Sequence, residues 1–297
     1  MPVTPGRRRF LAAAAALGLA GCAGGPAGVG SRRETGVVEV NGAGLHYETA
    51  GAGETVVLLH AFMLDGRMWD DQFDVLAEDF RVIRYDARGF GRSALPQPGA
   101  PYSHVDDLAA LLDKLDARKP HLVGASMGGR FALDYAVTHP GAVRSLTVID
   151  TVVSGWQWSP EWLASYAPIV AAGRRGDIPA AKQLWLDHPL FAPARERPEV
   201  AARLKLMVDD YSGWHLTHRN AERPLEPPAV RQLGRITVPT LVVIGSRDLP
   251  EFHRIAARVE GGVASGTRAT IPGAGHFANM EAPEGVTRAA REFLLRG

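Results

Sequence analysis

Cysteine is almost absent from this chain: Cys22 is the single one in 297 residues. No disulfide can form within the chain, whatever the compartment. The histidines are scattered without the short His/Cys spacings of a metal cluster. No metal and no other cofactor is therefore expected. Excess charge is absent too, since the formal net charge is only +1. No basic stripe stands out beyond the first few residues, which argues against a nucleic-acid partner. No internal repeat is visible. The apolar run Phe10 to Ala20 falls short of the roughly 20 residues that a bilayer-spanning helix needs.

What is present at the start reads as a leader. Arg7-Arg8-Arg9 precedes that short apolar run, the pattern of a signal peptide over residues 1–21. Leu19-Ala20-Gly21-Cys22 resembles the lipobox of bacterial lipoproteins. The resemblance implies lipidation of Cys22 and a membrane partner held through that anchor. Arg7 to Leu11 also resembles a twin-arginine export signal, although Gly6 stands where Ser or Thr is usual, so ordinary Sec export stays open. Residues 22–35 are expected to be the lipidated cysteine and a flexible tether, Gly/Pro-rich from Gly24 to Ser31. Ala23 does not resemble the aspartate that retains some lipoproteins at the inner membrane. The outer face of the cytoplasmic membrane and the outer membrane are both open as locations.

Removing the leader leaves roughly 275 residues, enough for one core domain with an insertion. A hydrophobic content of 46% and a charged content of 22% are ordinary for a globular protein. Val37–Val40 and Leu45–Glu48 flank Asn41-Gly42, a strong hairpin turn. Thr55–His60, Arg81–Tyr85, Ala142–Ile149, Pro239–Gly245 and Ala269–Ile271 read as strands. Trp69–Ala77, His104–Leu115 and the stretch ending near Leu295 read as helices. Strands alternating with helices predict an α/β fold with a mostly parallel central sheet flanked by helices. The core is expected over 36–152 and 236–297. Residues 153–235 break the pattern and read as an inserted helical cap, with a helix over Pro198–Val208. This segment holds Trp156, Trp158, Trp162, Trp185 and Trp214. They supply either the wall of an apolar substrate pocket or packing between cap and core.

Gly124-Ala125-Ser126-Met127-Gly128 follows the apolar run His121-Leu122-Val123 and opens a helix-like run from Arg130 to Val137. That context makes a G-x-S-x-G pattern a nucleophile elbow: strand, sharp turn, serine, helix. The glycines belong there because larger side chains would collide in so tight a turn. Ser126 occupies a strained position that presents its hydroxyl openly.

From about Val37 to Leu295 the chain resembles the α/β-hydrolase family, in its capped branch of enol-lactonases, small esterases, C–C bond hydrolases and cofactor-free haloperoxidases. The resemblance rests on His60-Ala61-Phe62, Asp86 to Ser93, the elbow, Gly245-Ser246-Arg247-Asp248 and Gly273 to Phe277. It implies a triad in the order serine, acid, histidine. Ser126 is then the nucleophile, His276 the general base and Asp248 the acid that holds the histidine tautomer. Asp150 is the rival acid, at the end of the preceding strand. Backbone N–H groups of Phe62 and Met127 form the expected oxyanion hole. The family usually has His-Gly where this chain has His60-Ala61, so Ala61 is strained if it takes a glycine-like conformation. His60 is read as a structural hydrogen-bonding residue. Asp86 and Arg88 are read as a structural pair fixing the loop before Gly89 and Gly91.

The expected activity is hydrolysis of a carboxylic ester or lactone through an acyl-enzyme. A serine nucleophile disfavours the relatives that form an ester through an aspartate. Perhydrolase or haloperoxidase chemistry and C–C bond hydrolysis use the same triad. A lipid-anchored binding protein is the non-enzymatic alternative. The acyl and alcohol groups and the oligomeric state are not legible at this level.

Overall fold

The computed structural model describes Met1 and residues 33–296. The expected signal peptide, Cys22 and the Gly/Pro-rich stretch from Gly24 to Ser31 lie outside the described residues.

The chain opens with a hairpin. Strands β1 (Glu34–Val40) and β2 (Ala43–Ala50) pair in antiparallel register from Glu34↔Thr49 to Val40↔Ala43. Asn41 and Gly42 turn it with positive φ values of 46° and 76°, as a two-residue turn of this hand requires. Strand β1 begins at Glu34, three residues earlier than the apolar pattern suggests, so residues 34 and 35 are sheet rather than tether. The reason is the partner: β2 is long enough to offer ladder positions opposite Glu34 and Thr35.

Next come β3 (Thr55–Leu59), a 3₁₀ turn at Gly66–Trp69, α1 (Asp70–Leu76) and β4 (Arg81–Tyr85). The expected helix at Trp69 thus starts one residue later. The turn before it is 3₁₀ and is capped by Asp65, which accepts from the Arg67 N–H. Helix α2 (His104–Lys114) is capped by Ser103, whose hydroxyl accepts from the Asp106 N–H. Strand β5 (His121–Ala125) runs straight into α3 (Met127–Thr138). Strand β6 (Ser145–Ile149) is shorter than the apolar run Ala142–Ile149. Ala142 instead closes a turn by donating to the His139 carbonyl.

Five α-helices follow before the sheet resumes: α4 (Pro160–Arg174), α5 (Ile178–Asp187), α6 (Ala192–Arg195), α7 (Pro198–Asp210) and α8 (Trp214–Thr217). The chain closes with β7 (Thr240–Gly245), α9 (Pro250–Glu260), β8 (Gly266–Ile271), α10 (Ala278–Glu281) and α11 (Pro283–Leu294).

The eight strands form one sheet in the order β1-β2-β4-β3-β5-β6-β7-β8. Only the β1–β2 and β2–β4 pairings are antiparallel. The fold is therefore an α/β-hydrolase fold, with a mostly parallel sheet flanked by helices. Strands β3, β5, β6 and β7 are buried along their whole length. Central parallel strands covered on both faces explain why they read as apolar runs rather than alternating ones. The edge strand β8 keeps partly exposed residues instead.

The loop after β4 is held by two separate carboxylates, which corrects the reading of Asp86 and Arg88 as a pair. Asp86 accepts from the backbone N–H groups of Gly66 and Arg92, at 2.8 Å each. Arg88 reaches away to α2 and donates two parallel bonds to Asp107, both 2.7 Å. A guanidinium fork fits a carboxylate in this way, which a single ammonium does not. Arg88 also donates to the Asn41 carbonyl at 3.1 Å, and Asn41 donates to Asp107 at 3.0 Å. Hairpin tip, loop and helix thus meet at one buried ion pair. Arg88→Leu would leave the Asp107 carboxylate buried and unpaired. A loss of about 3–5 kcal/mol is expected, read as a lower urea midpoint at unchanged slope.

Candidate active site

Three separate loops at one end of the parallel sheet bring Ser126, Asp248 and His276 together. Ser126 stands between β5 and α3 with φ 48° and ψ −109°. Such a position costs about 1–3 kcal/mol and persists only where its surroundings enforce it. Here they do. The Ser126 N–H donates to the Ile149 carbonyl at 2.9 Å, and its own carbonyl accepts from Arg130 and Val152. The glycines explain why the turn closes. A Cβ on Gly124 would lie 2.4 Å from the Gly128 carbonyl oxygen, and one on Gly128 would lie 2.1 Å from the Leu59 carbonyl oxygen. Strand, turn and the neighbouring strand approach too closely for any side chain there.

His276 lies in the loop after β8. Its Nε2 is 3.0 Å from the Ser126 Oγ, and its Nδ1 is 2.9 Å from an Asp248 carboxylate oxygen. An ionised carboxylate only accepts, so Nδ1 carries the proton and Nε2 is free to accept from the serine hydroxyl. Both partners are nearly sealed from solvent, His276 at 3% and Asp248 at 7% exposure. The other Asp248 oxygen accepts from the Leu249 N–H at 2.7 Å. The Phe252 ring lies 4.1 Å from the imidazole and forms one wall. A hydroxyl with a base at 3.0 Å, backed by a carboxylate, is arranged for nucleophilic attack and proton shuttling.

The rival acid is elsewhere. Asp150, fully buried, accepts from the Gly245 N–H at 2.8 Å and the Ala278 N–H at 3.2 Å. It touches backbone, not the imidazole. Burial, and then the nearby Asp248 charge, push its carboxyl well above the usual carboxylate range.

Phe62 and Met127 both border the cavity above Ser126. Neither backbone N–H has a partner in the hydrogen bonds of the described residues. In the loop after β3 the left-handed conformation falls on Met63, with φ 59°, and not on Ala61. Ala61 does not take the glycine-like conformation that would have strained it. Ala61 is instead fixed by its N–H on the Met68 sulfur, at 3.1 Å, and by its carbonyl on His60 Nδ1, at 2.8 Å. His60 Nε2 accepts from the Ala87 N–H at 2.9 Å, so both ring nitrogens are used in joining two loops.

The cavity measures about 760 Å³, within the range of small-molecule sites. Four of the five tryptophans in the 153–235 segment line it; Trp214 does not, and stacks on His218 instead. Trp158 stacks on Trp162 at 4.7 Å and 20°, and Trp162 lies parallel to Tyr166 at 6.1 Å and 11°. This i, i+4, i+8 spacing was visible in the sequence. Phe252, which meets both Trp158 and Trp162 as well as His276, carried no sequence signal. Arg130, the lining arginine, pairs with Glu222 at 2.9 Å.

This geometry defines an α/β-hydrolase. The chain belongs to that family: residues 54–283 match the model described as alpha/beta hydrolase fold. It is similar to the enol-lactonase of Burkholderia xenovorans LB400, 26% identical with a TM-score of 0.73, covering 88% of this chain and 100% of that one. It is also similar to a thermophilic esterase from Thermogutta terrifontis, 29% identical with a TM-score of 0.73, covering 89% and 98%. The proline iminopeptidase of Lactobacillus crispatus is 28% identical over 262 residues, 80% of this chain and 89% of its own length. These likenesses support a hydrolytic role.

His215 borders the cavity between two tyrosines. Its Nδ1 accepts from the Tyr211 hydroxyl at 2.9 Å, and its Nε2 faces the Tyr102 hydroxyl at 3.3 Å. Burial, and then Arg130, pull the imidazole down to about 4. Its unfolded counterpart titrates near ~6.5. The unfolded chain therefore binds the extra proton first, and this stability is present above pH ~6.5 and lost as pH falls toward 4. Asp134, raised to about 6 by burial, works in the opposite sense below pH 6. His215→Gln is expected to make the loss of unfolding free energy between pH 6.5 and 4 shallower than in the wild type, measured by urea melts at several pH values.

Proposed function

We propose that this protein is a serine hydrolase that cleaves a carboxylic ester or lactone, with Ser126 as nucleophile, His276 as base and Asp248 as its partner. The observation that carries the reading is the continuous relay of two hydrogen bonds, 3.0 Å and 2.9 Å, at the edge of an apolar cavity. Ser126 attacks the acyl carbon as His276 Nε2 takes its proton. The resulting oxyanion is received by the Phe62 and Met127 N–H groups, each such donor being worth roughly 10²–10³ in rate. His276 returns the proton to the departing alcohol, and water then releases the acid by the reverse sequence. The cavity argues for a largely apolar substrate: much of its wall is aromatic, and its arginine is already paired with Glu222.

Hydrolysis of p-nitrophenyl esters from acetate to dodecanoate tests this in the full chain. Activity is expected to fall to background in Ser126→Ala and about 10⁴-fold in Asp248→Asn. Near-normal turnover of Asp248→Asn would move the acid role to Asp150. No activity on any chain length in folded protein would sink the ester reading and bring peroxide and C–C chemistry forward.

We further propose, from the N-terminal sequence alone, that the protein is exported and anchored through Cys22 at the outer face of the cytoplasmic membrane or at the outer membrane. The Leu19-Ala20-Gly21-Cys22 sequence supports it. The wild type is expected to incorporate labelled palmitate and to pellet with membranes, and Cys22→Ser to do neither. Identical fractionation of the two would remove the anchor.

A further inference from the structure

His276 has neighbours in sequence that are held with unusual care, and the group that holds them is not part of the relay. Glu281 lies at the end of α10, with its side chain fully buried. One carboxylate oxygen accepts from the Gly275 N–H at 2.7 Å. The other accepts from the Phe277 N–H at 3.1 Å. The carboxylate therefore grips the peptide on both sides of the histidine, one oxygen to each. A third N–H of the same stretch, that of Ala278, is taken by Asp150.

Glu281 also has a cation. Arg197, in the segment between β6 and β7, places Nη1 3.5 Å from the same Glu281 oxygen that holds Gly275. Its Nη1 donates to the Pro193 carbonyl and its Nη2 to the Gly273 carbonyl, at 2.8 Å each. A single guanidinium thus ties the helical segment, through Pro193, to the histidine loop, through Gly273 and Glu281. The Gly275 backbone touches that segment as well, since a Cβ there would lie 2.6 Å from the Pro193 ring.

We infer that Glu281 is the positioning residue for His276 and that Arg197 is the latch through which the helical segment over the cavity governs that position. The inference rests on the serine-hydrolase reading above. The physical argument concerns geometry and charge together. The His276 ring must stay within hydrogen-bond reach of two partners on two other loops. A peptide free to turn on either side of it would move Nε2, and a displacement of about 1 Å at a reacting group can cost about 10²-fold in rate. Glutamine in place of Glu281 keeps the shape but supplies one acceptor where two donors must be met. Its NH₂ would face an N–H group. It also removes a negative charge near the imidazole. Besides Glu281, the titratable and charged groups around this loop are Asp248 and Asp150 from the sheet side, Arg247 from the β7 loop, and His188 and Arg197 from the helical segment.

The charge signs make the inference testable. Losing Glu281 removes a stabiliser of the imidazolium, so the acid limb of the kcat/KM profile is expected to move to lower pH. Losing Arg197 leaves the Glu281 charge uncompensated, so the limb is expected to move to higher pH. The experiment compares wild type, Glu281→Gln, Arg197→Gln and Ser126→Ala as full chains. It measures p-nitrophenyl ester kinetics against pH, the rate of Ser126 labelling by a fluorophosphonate, and the downfield proton resonance of His276 Nδ1–H. Glu281→Gln is expected to lower kcat about 10- to 100-fold with KM within about twofold, and to slow labelling in parallel. Arg197→Gln is expected to lower kcat by a smaller factor. Unchanged kcat, labelling and resonance in Glu281→Gln would overturn the inference. So would a lower melting temperature with normal kinetics per folded molecule, which marks a merely structural role. If Glu281→Gln does not fold, Arg197→Gln decides, and an unmoved acid limb there overturns the latch. Failure of the underlying reading looks different: wild type itself neither turns over ester nor loses its labelling in Ser126→Ala.

Discussion

The close approach of β3, β5 and the start of α3 is the constraint on which the rest depends. A carbonyl from Leu59 stands where a side chain on Gly128 would be, and a carbonyl from Gly128 stands where one on Gly124 would be. Two missing Cβ atoms let the backbone turn in one residue. That residue, Ser126, then has no choice but a left-handed φ, and its hydroxyl is lifted clear of the sheet. The cost is met by the parallel sheet itself, because the Ser126 N–H bonds to the end of β6. A buried sheet with little freedom to relax is what keeps the strained Ser126 in place.

The other functional groups hang from the ends of the adjacent strands. β7 delivers Asp248 and β8 delivers His276, and Asp150 at the end of β6 accepts from the backbone of both regions. Parallel strands put all their carboxyl ends on one side, so loops far apart in sequence converge there. The pattern of buried ionisable groups follows. Asp86, Arg88, Asp107, Asp150 and Glu281 are all buried, and each is met by backbone donors or by an opposite charge. Such groups stabilise little by themselves. Their effect is to specify which loop conformation accompanies the sheet.

The helical segment between β6 and β7 adds the walls. Trp158 and Trp162 stack into a ladder that meets Phe252, and Phe252 meets His276. The cavity wall thus includes the same aromatic ring that packs against His276. With Arg197 bridging that segment to the histidine loop, the wall of the cavity and the position of His276 share a mechanical connection.

By itself the sequence determined the alternation of strand and helix and the elbow. It could do so because those features are local: an apolar run, two glycines, a serine and a helix lie within a few residues of each other. Boundaries were less legible. Glu34 and Thr35 joined β1 because β2 was there to pair with them, and Ala142 left β6 because a turn claimed its N–H. In the loop after β3 the left-handed position falls on Met63 and not on Ala61, whose N–H is held by the Met68 sulfur. Tertiary structure alone decided that Arg88 pairs with Asp107 and not with Asp86, that Asp248 and not Asp150 faces the imidazole, and that Glu281 holds the peptide around it. The first two are choices among carboxylates of like chemistry, and only the three-dimensional placement of the strands and loops brings one of them within bonding distance; the third depends on the chain folding back over α10 so that Glu281 reaches the peptides of Gly275 and Phe277.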